Sequence, residues 1–258
     1  MGLYFRPRRD SRPRARARTA AAVIIGNEVL SAKVEDANGP FLVKRLREHG
    51  VPLRSIAVVP DEIDPIVGAV VAARAAARWV ITSGGIGPTH DDVTVRAVAL
   101  ALGREVVRIP KIVELLSRGY PDSLPAEALR LADAPEGTEL LAPEGTVYPV
   151  LAVDGMFLLP GVPSLFRMQL ETVLTSLPRS AVHVRSLYLS RGEAEIAATL
   201  DRVALGMPDV GIGSYPAVTS GADHRVRVTV EAAEADRVDL VVARLRSELP
   251  EGAVLRVE

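Results

Sequence analysis

The apolar positions of this chain fall into two kinds of run: short continuous ones of strand length, and longer ones repeating every three or four residues. Ala20 to Ile25 is the first short run and contains no polar residue. A strand without a polar face is buried on both sides, as in the middle of a parallel sheet. Gly26-Asn27-Glu28 follows, and then a helix around Pro40 to His49, with Asn38 and Pro40 as start signals and Gly50 as the stop. Leu53 to Val59 reads as a second strand. Asp64 and Pro65 open a long helix through Ala77, which leads to a strand at Arg78 to Ser83 and a helix over Asp91 to Leu102. A helix at Lys111 to Arg118, a Pro-rich segment to Pro149, a strand at Leu151 to Leu159 and a helix after Pro163 complete this half. The β-α-β-α-β-α succession predicts an α/β domain of three layers, a mostly parallel sheet covered on both faces, with ligand chemistry at the carboxyl ends of the strands. Glu28, Asp36, Asp61 and Asp92 all lie in loops after such ends, so they can converge although far apart in sequence.

The pattern changes near Pro178. Strands at Val182 to Leu189, Val210 to Ser214, Arg225 to Val230 and Ala253 to Val257 alternate with helices at Glu193 to Leu205 and Ala235 to Leu249. This β-α-β-β-α-β string predicts a smaller α+β domain of the split-βαβ kind, KH-like or ferredoxin-like. The expected division is a disordered basic tail over residues 1–18, an α/β domain over 19–177 and the small domain over 178–258. Within the last, Gly211-Ile212-Gly213-Ser214-Tyr215-Pro216 reads more readily as a turn than as a phosphate site, because no helix follows it.

Candidate chemistry is concentrated in Trp79 to Thr94, where an apolar strand enters Ser83-Gly84-Gly85-Ile86-Gly87-Pro88-Thr89 and then Asp91-Asp92. Glycines let the backbone approach an anion and present N–H donors, and a helix N-terminus adds a favourable field. One aspartate could serve only to cap the helix. A carboxylate beside phosphate otherwise needs a cation between them, so turn and acids together point to a metal-bridged phosphate or diphosphate.

Composition narrows the partners. The chain has 258 residues, 48% of them hydrophobic, and no cysteine, which excludes thiol nucleophiles, disulfides and thiolate metal sites. Four scattered histidines make no local metal motif, so a divalent ion would be held by oxygen, favouring a magnesium-like ion. No apolar run reaches membrane-spanning length. Residues 1–18 hold seven arginines and one aspartate, leaving a net charge of −7 on the remainder. The tail lacks a hydrophobic period and a signal-peptide core, and the 28 Arg to 3 Lys bias looks compositional, so no nucleic-acid partner is expected. The expectation is a cytoplasmic homo-oligomer acting on a small molecule.

The segments "GNEVLSAKVEDANGPFLVKRLREHGV", "SGGIGPTHDDVT" and "LLPGVPSLF" resemble the molybdopterin-binding (molybdenum-cofactor biosynthesis) domain. That superfamily includes molybdopterin adenylyltransferases, the competence/damage-inducible protein A family and the N-terminal half of eukaryotic FAD synthase. "LYLSRGEAEIAATLDR", "GIGSYP" and "YPVLAVDGMFLLPGVP" look most like the FAD synthase and competence-protein branches. The resemblance implies a phosphate- or nucleotide-binding set of Ser83, Gly84, Gly85, Gly87, Thr89, Asp36 and Asn38. It implies catalytic roles for Asp92 and Asp61, and metal ligation by Asp92, Asp91 and Glu28. The sequence departs from the pattern at Asn27, where an acid is common, and at "PEGTVYPV", which lacks the Asn-rich stretch of competence proteins. Members of these branches are associated with metal-dependent cleavage of FAD or ADP-ribose. The expectation is therefore hydrolysis of a nucleotide diphosphate, alternatively molybdopterin binding or nucleotidyl transfer, or a non-catalytic regulatory module. FAD synthesis by this chain alone is not expected.

Overall fold

A computed structural model describes residues 18–119, 124–142, 148–218 and 221–258. The basic tail, apart from Arg18, and most of "PEGTVYPV" lie outside the described residues. The chain divides into two compact units, Met1–Pro178 and Arg179–Glu258.

The first unit is built on a six-stranded sheet. Its strands are β1 (Ala20–Ile25), β2 (Leu53–Val59), β3 (Trp79–Ser83), β6 (Glu139–Leu141), β7 (Val150–Val153) and β8 (Met156–Leu159). They run in the order β2-β1-β3-β8-β7-β6, and the first four are mutually parallel. β1 is buried throughout, and its side chains alternate between two cores. Ala21, Val23 and Ile25 join the helices Ile63–Ala76 and Thr94–Leu102, whereas Ala20 and Ala22 join the helices Asn38–His49 and Pro163–Ser176. Burial on both faces is thus the reason for the unbroken apolar run, and the three-layer α/β expectation holds.

Three local expectations are corrected. The helix expected to open at Asp64 and Pro65 starts at Ile63, with Glu62 preceding it, so both residues lie inside its first turn. The helix after the glycine turn begins at Thr94 and not at Asp91, leaving both aspartates in the turn. The run Leu151 to Leu159 is no single strand. It is the hairpin of β7 and β8, folded back at Asp154-Gly155, a dipeptide that tight antiparallel turns favour. The preceding Pro-rich segment also holds β6 and β5 (Asp133–Pro135), and β5 pairs with β4 (Val106–Arg108).

The second unit comprises β9 (His183–Leu189), helix Glu193–Gly206, β10 (Gly211–Pro216), β11 (Val226–Ala232), helix Ala235–Glu248 and β12 (Val254–Val257). Its sheet has the order β10-β11-β9-β12, all antiparallel, the split-βαβ arrangement. One face is sealed by Leu187, Leu189, Val226, Val228 and Val230 against Ile196, Val238, Val241 and Leu245 of the helices. Gly211 to Pro216 is strand throughout, so the expected turn there is an edge strand instead.

Candidate functional site

In the first unit the chain leaves β1 towards β2 on one side and later returns to place β3 on the other. That reversal opens a crevice beyond the carboxyl ends of β1 and β3, the place where open α/β sheets bind ligands. A cleft of about 490 Å³ lies there. Glu28 reaches it from the short helix Asn27–Leu30 after β1, Asp61 from the loop after β2, Gly84 to Gly87 and the two aspartates from after β3, and Pro160 to Val162 from after β8.

The glycine turn owes its shape to contacts that no side chain would permit. Gly84 and Gly85 have φ of +103° and +66°, and a Cβ on either would drive into the Ile25 carbonyl oxygen or the Thr94 hydroxyl. The turn is tied from behind. The Gly84 amide donates to the Leu159 carbonyl at 3.0 Å, the Thr94 amide to the Gly85 carbonyl at 3.0 Å, and the buried Thr94 hydroxyl to the Gly84 carbonyl at 2.9 Å. The Thr89 amide donates to Asp92 Oδ2 at 2.8 Å. Among the described residues, the amides of Gly85, Ile86 and Gly87 donate to no protein acceptor. These three remain for an anion, a narrower set than the sequence indicated.

Asp92 thus closes the turn as well as lining the cleft. The Thr89 hydroxyl lies 2.6 Å from Asp91 Oδ1 and 2.5 Å from Asp92 Oδ2, and its one proton serves the pair. Donation from Thr89 holds Asp91 below the usual carboxylate range. Asp61 is raised, first by burial and then by the charges of Glu28, Asp91 and Asp92, while the Asn27 amide, donating to its Oδ2 at 2.7 Å, opposes the rise. At Asn27, where the sequence departs from the family pattern, it is the backbone and not the side chain that meets Asp61. The four acids share one cleft, and among the described residues no lysine or arginine is on its lining. Among the described residues, however, no three Asp, Glu or His side chains are grouped to hold a metal ion by themselves. The expected trio Asp92, Asp91 and Glu28 is brought to one cleft but is not a preformed cage.

Asp36, Asn38, Ser83 and Thr89 are not on the lining of the cleft; Asn38 and Ser83 are buried, and Thr89 is exposed and bonded to the two aspartates. Asp36 Oδ1 accepts the amides of Asn38 at 2.9 Å and Gly39 at 3.0 Å, satisfying the first turn of the helix that begins there. The Asn38 Nδ2 group donates to Ser83 Oγ at 2.9 Å and to the Gly161 carbonyl at 2.8 Å. Sequence reasoning missed the apolar half of the cleft: Val34, Ile86, Leu131, Tyr148, Val162 and Leu165. Tyr148 is placed by its hydroxyl, which donates to the Leu131 carbonyl at 2.6 Å, and burial pushes its phenol well above the usual value. A signal for this half was present in Leu158-Leu159-Pro160-Gly161-Val162-Pro163, again a strand end, a glycine and a helix opening with proline.

Residues 21–179 match the family described as "Probable molybdopterin binding domain". The chain belongs to the molybdopterin-binding domain family. Within this molybdopterin-binding domain lie the whole cleft and every candidate site residue. Residues 181–258 match a second family, the FAD synthase middle domain. A protein of Archaeoglobus fulgidus is 32% identical over 195 residues, covering 75% of this chain and 84% of its own. The "Probable FAD synthase" of Caenorhabditis elegans is 30% identical over 260 residues, covering 90% of this chain and 50% of its own, so the chain spans about half that relative's length. The crystal structure of CinA from Thermoplasma acidophilum, of unknown function, is 29% identical with a TM-score of 0.58, covering 62% of this chain and 98% of that one. Among the described residues, no helix is long and apolar enough to cross a membrane.

Proposed function

We propose that this chain is a metal-dependent hydrolase that cleaves the diphosphate of a nucleotide such as FAD or ADP-ribose. The observation that carries the reading is the pairing, in one cleft, of three unused amides at Gly85 to Gly87 with four carboxylates and, among the described residues, no cationic side chain. Amides of a strand-to-helix turn attract phosphate, whereas the acids repel it unless a cation lies between. Glu28, Asp91 and Asp92 offer oxygen donors of the kind a magnesium-like ion takes, and such an ion is held by one or two carboxylates together with substrate phosphates, so a three-acid cage is not required. When bound, the ion would neutralise phosphate charge and favour attack by water. The chain's own residues do the rest. The Gly85, Ile86 and Gly87 amides hold a phosphoryl oxygen, and the apolar wall from Val34 to Leu165 receives a ring. Asp61, fixed at Oδ2 by the Asn27 amide, orients a water and receives its proton. The water oxygen bonds to phosphorus, the P–O bond to the bridging oxygen breaks, and AMP leaves.

The FAD synthase relative and the match to its middle domain support a nucleotide substrate. The reading has the protein acting in the cytoplasm as a homo-oligomer. A second reading, a nucleotide-binding regulatory module without turnover, is favoured by the lack of a grouped metal trio among the described residues. One experiment separates them: incubate the purified protein with FAD, ADP-ribose and related dinucleotides under several divalent ions, and measure AMP. Metal-dependent AMP release supports the hydrolase, tight binding without AMP the module, and neither removes both.

A further inference from the structure

The two halves of the cleft come from different strand ends, and one side chain joins them. Asn38 is buried, with 5% of its surface exposed. Its Nδ2 donates to Ser83 Oγ beside the glycine turn and to the Gly161 carbonyl at the start of the apolar wall. The Gly161 oxygen can only accept, which sets the orientation of the amide. Asn38 Oδ1 is left buried without a partner. An unsatisfied buried acceptor is costly, and its retention requires a reason. Keeping both donors engaged supplies one.

The two turns do not depend on this amide equally. The glycine turn has its own ties to Leu159 and Thr94. Among the described residues, Asn38 is the one side chain that bonds Gly161. Gly161 and Gly84 also meet backbone to backbone, since a Cβ on Gly161 would lie 3.4 Å from Gly84 Cα. The gap between turn and wall is therefore set by the Gly84–Leu159 backbone bond, the bare contact of Gly161 on Gly84 and one side-chain amide, the last alone holding Gly161 itself.

We infer that Asn38 is a positioning residue that fixes the apolar wall at Val162 and Leu165 relative to the phosphate-binding amides, and so sets which two-part ligands the cleft accepts. This goes beyond its expected place as a phosphate-binding residue and rests on the nucleotide reading of the cleft. A ligand that spans both halves depends on the gap. One that fills only the turn does not.

The test compares the wild type with Asn38→Ser, which removes the amide without adding charge, and with Asn38→Asp as a second variant. Titration with ADP-ribose and with inorganic pyrophosphate, both with magnesium, reads the two ligand classes. Thermal melting identifies a variant that fails to fold. The expected result is about a tenfold loss for ADP-ribose, the order of one or two lost hydrogen bonds, with pyrophosphate changed less than about twofold. Equal losses for both ligands, or no loss, overturn the inference. If the wild type binds neither ligand, the nucleotide reading fails by itself. Amide hydrogen exchange then decides the positioning role: faster exchange confined to residues 160–166 supports it, and a uniform or absent change overturns it.

Discussion

At Gly84 the backbone stands where only glycine fits, because its φ is +103° and a Cβ would enter the Ile25 carbonyl. Gly84→Ala should cost at least about 1–3 kcal/mol of stability from backbone strain, read as a lower melting temperature, and should abolish phosphate binding. A variant with unchanged melting and binding would show that the turn is not held as described. Asp92 carries two duties, receiving Thr89 and supplying negative charge to the cleft. Asn retains an oxygen for Thr89 but has no charge, so Asp92→Asn should keep the fold. Diphosphate cleavage should fall about 10-fold to 1,000-fold, or further, and undiminished turnover would sink the catalytic role. These glycines and acids were legible from spacing. The structural use of Asn38 and Ser83 was not, since whether a polar side chain meets a ligand or a carbonyl depends here on atoms more than forty positions away.

The element that decides the site is the helix Thr94–Leu102, whose first residue is fully buried. Its hydroxyl satisfies the Gly84 carbonyl, which bonds the helix start to the turn. Thr94→Val keeps the shape and leaves that carbonyl unsatisfied, so it should destabilise by about 1–3 kcal/mol in chemical denaturation. A neutral result would mean that the carbonyl finds another donor. The sequence signs of a helix start, two acids after a proline, were read three residues early. Asp91 and Asp92 look like first-turn residues, but Asp92 accepts the Thr89 amide and closes the turn before any helix begins. The hairpin at Asp154-Gly155 was absorbed into one strand for a different reason: both its arms are buried, so no polar alternation marked the reversal.

Across the whole first unit, the helices Asn38–His49 and Pro163–Ser176 are clasped at the surface by Arg45, which bonds both oxygens of Glu171 at 2.7 and 2.6 Å. This pairing holds the Glu171 carboxyl below its usual value. A depressed folded-state value stabilises above the unfolded value of about 4.3 and loses that contribution as pH falls through the folded one. Arg45→Met should therefore melt lower than wild type at neutral pH, by about 0.5 kcal/mol for so exposed a pair, and the difference should vanish at strongly acid pH. A gap that persists in acid would assign the effect to packing. At the largest scale each unit has a separate core, with the second drawn wholly from residues 187–257. A chain ending at Pro178 should fold by circular dichroism and retain metal-dependent nucleotide binding. Folding without binding would mean that the second unit supplies part of the site.

Apolar runs and glycine punctuation were enough to specify a mostly parallel α/β unit, a split-βαβ unit after it and a glycine turn at the end of the third strand, because these follow from local period and backbone freedom. The sequence alone also placed Glu28, Asp61 and Asp92 in segments that share one end of the sheet, since strands joined by β-α-β connections run parallel. Only the tertiary structure decided which amides stay free, which acids face the cleft and which side chains stand behind it. It alone revealed the apolar wall from Val34 to Leu165. Hydrogen-bond partners and burial arise where strand ends from distant parts of the chain meet, and no local pattern encodes that meeting.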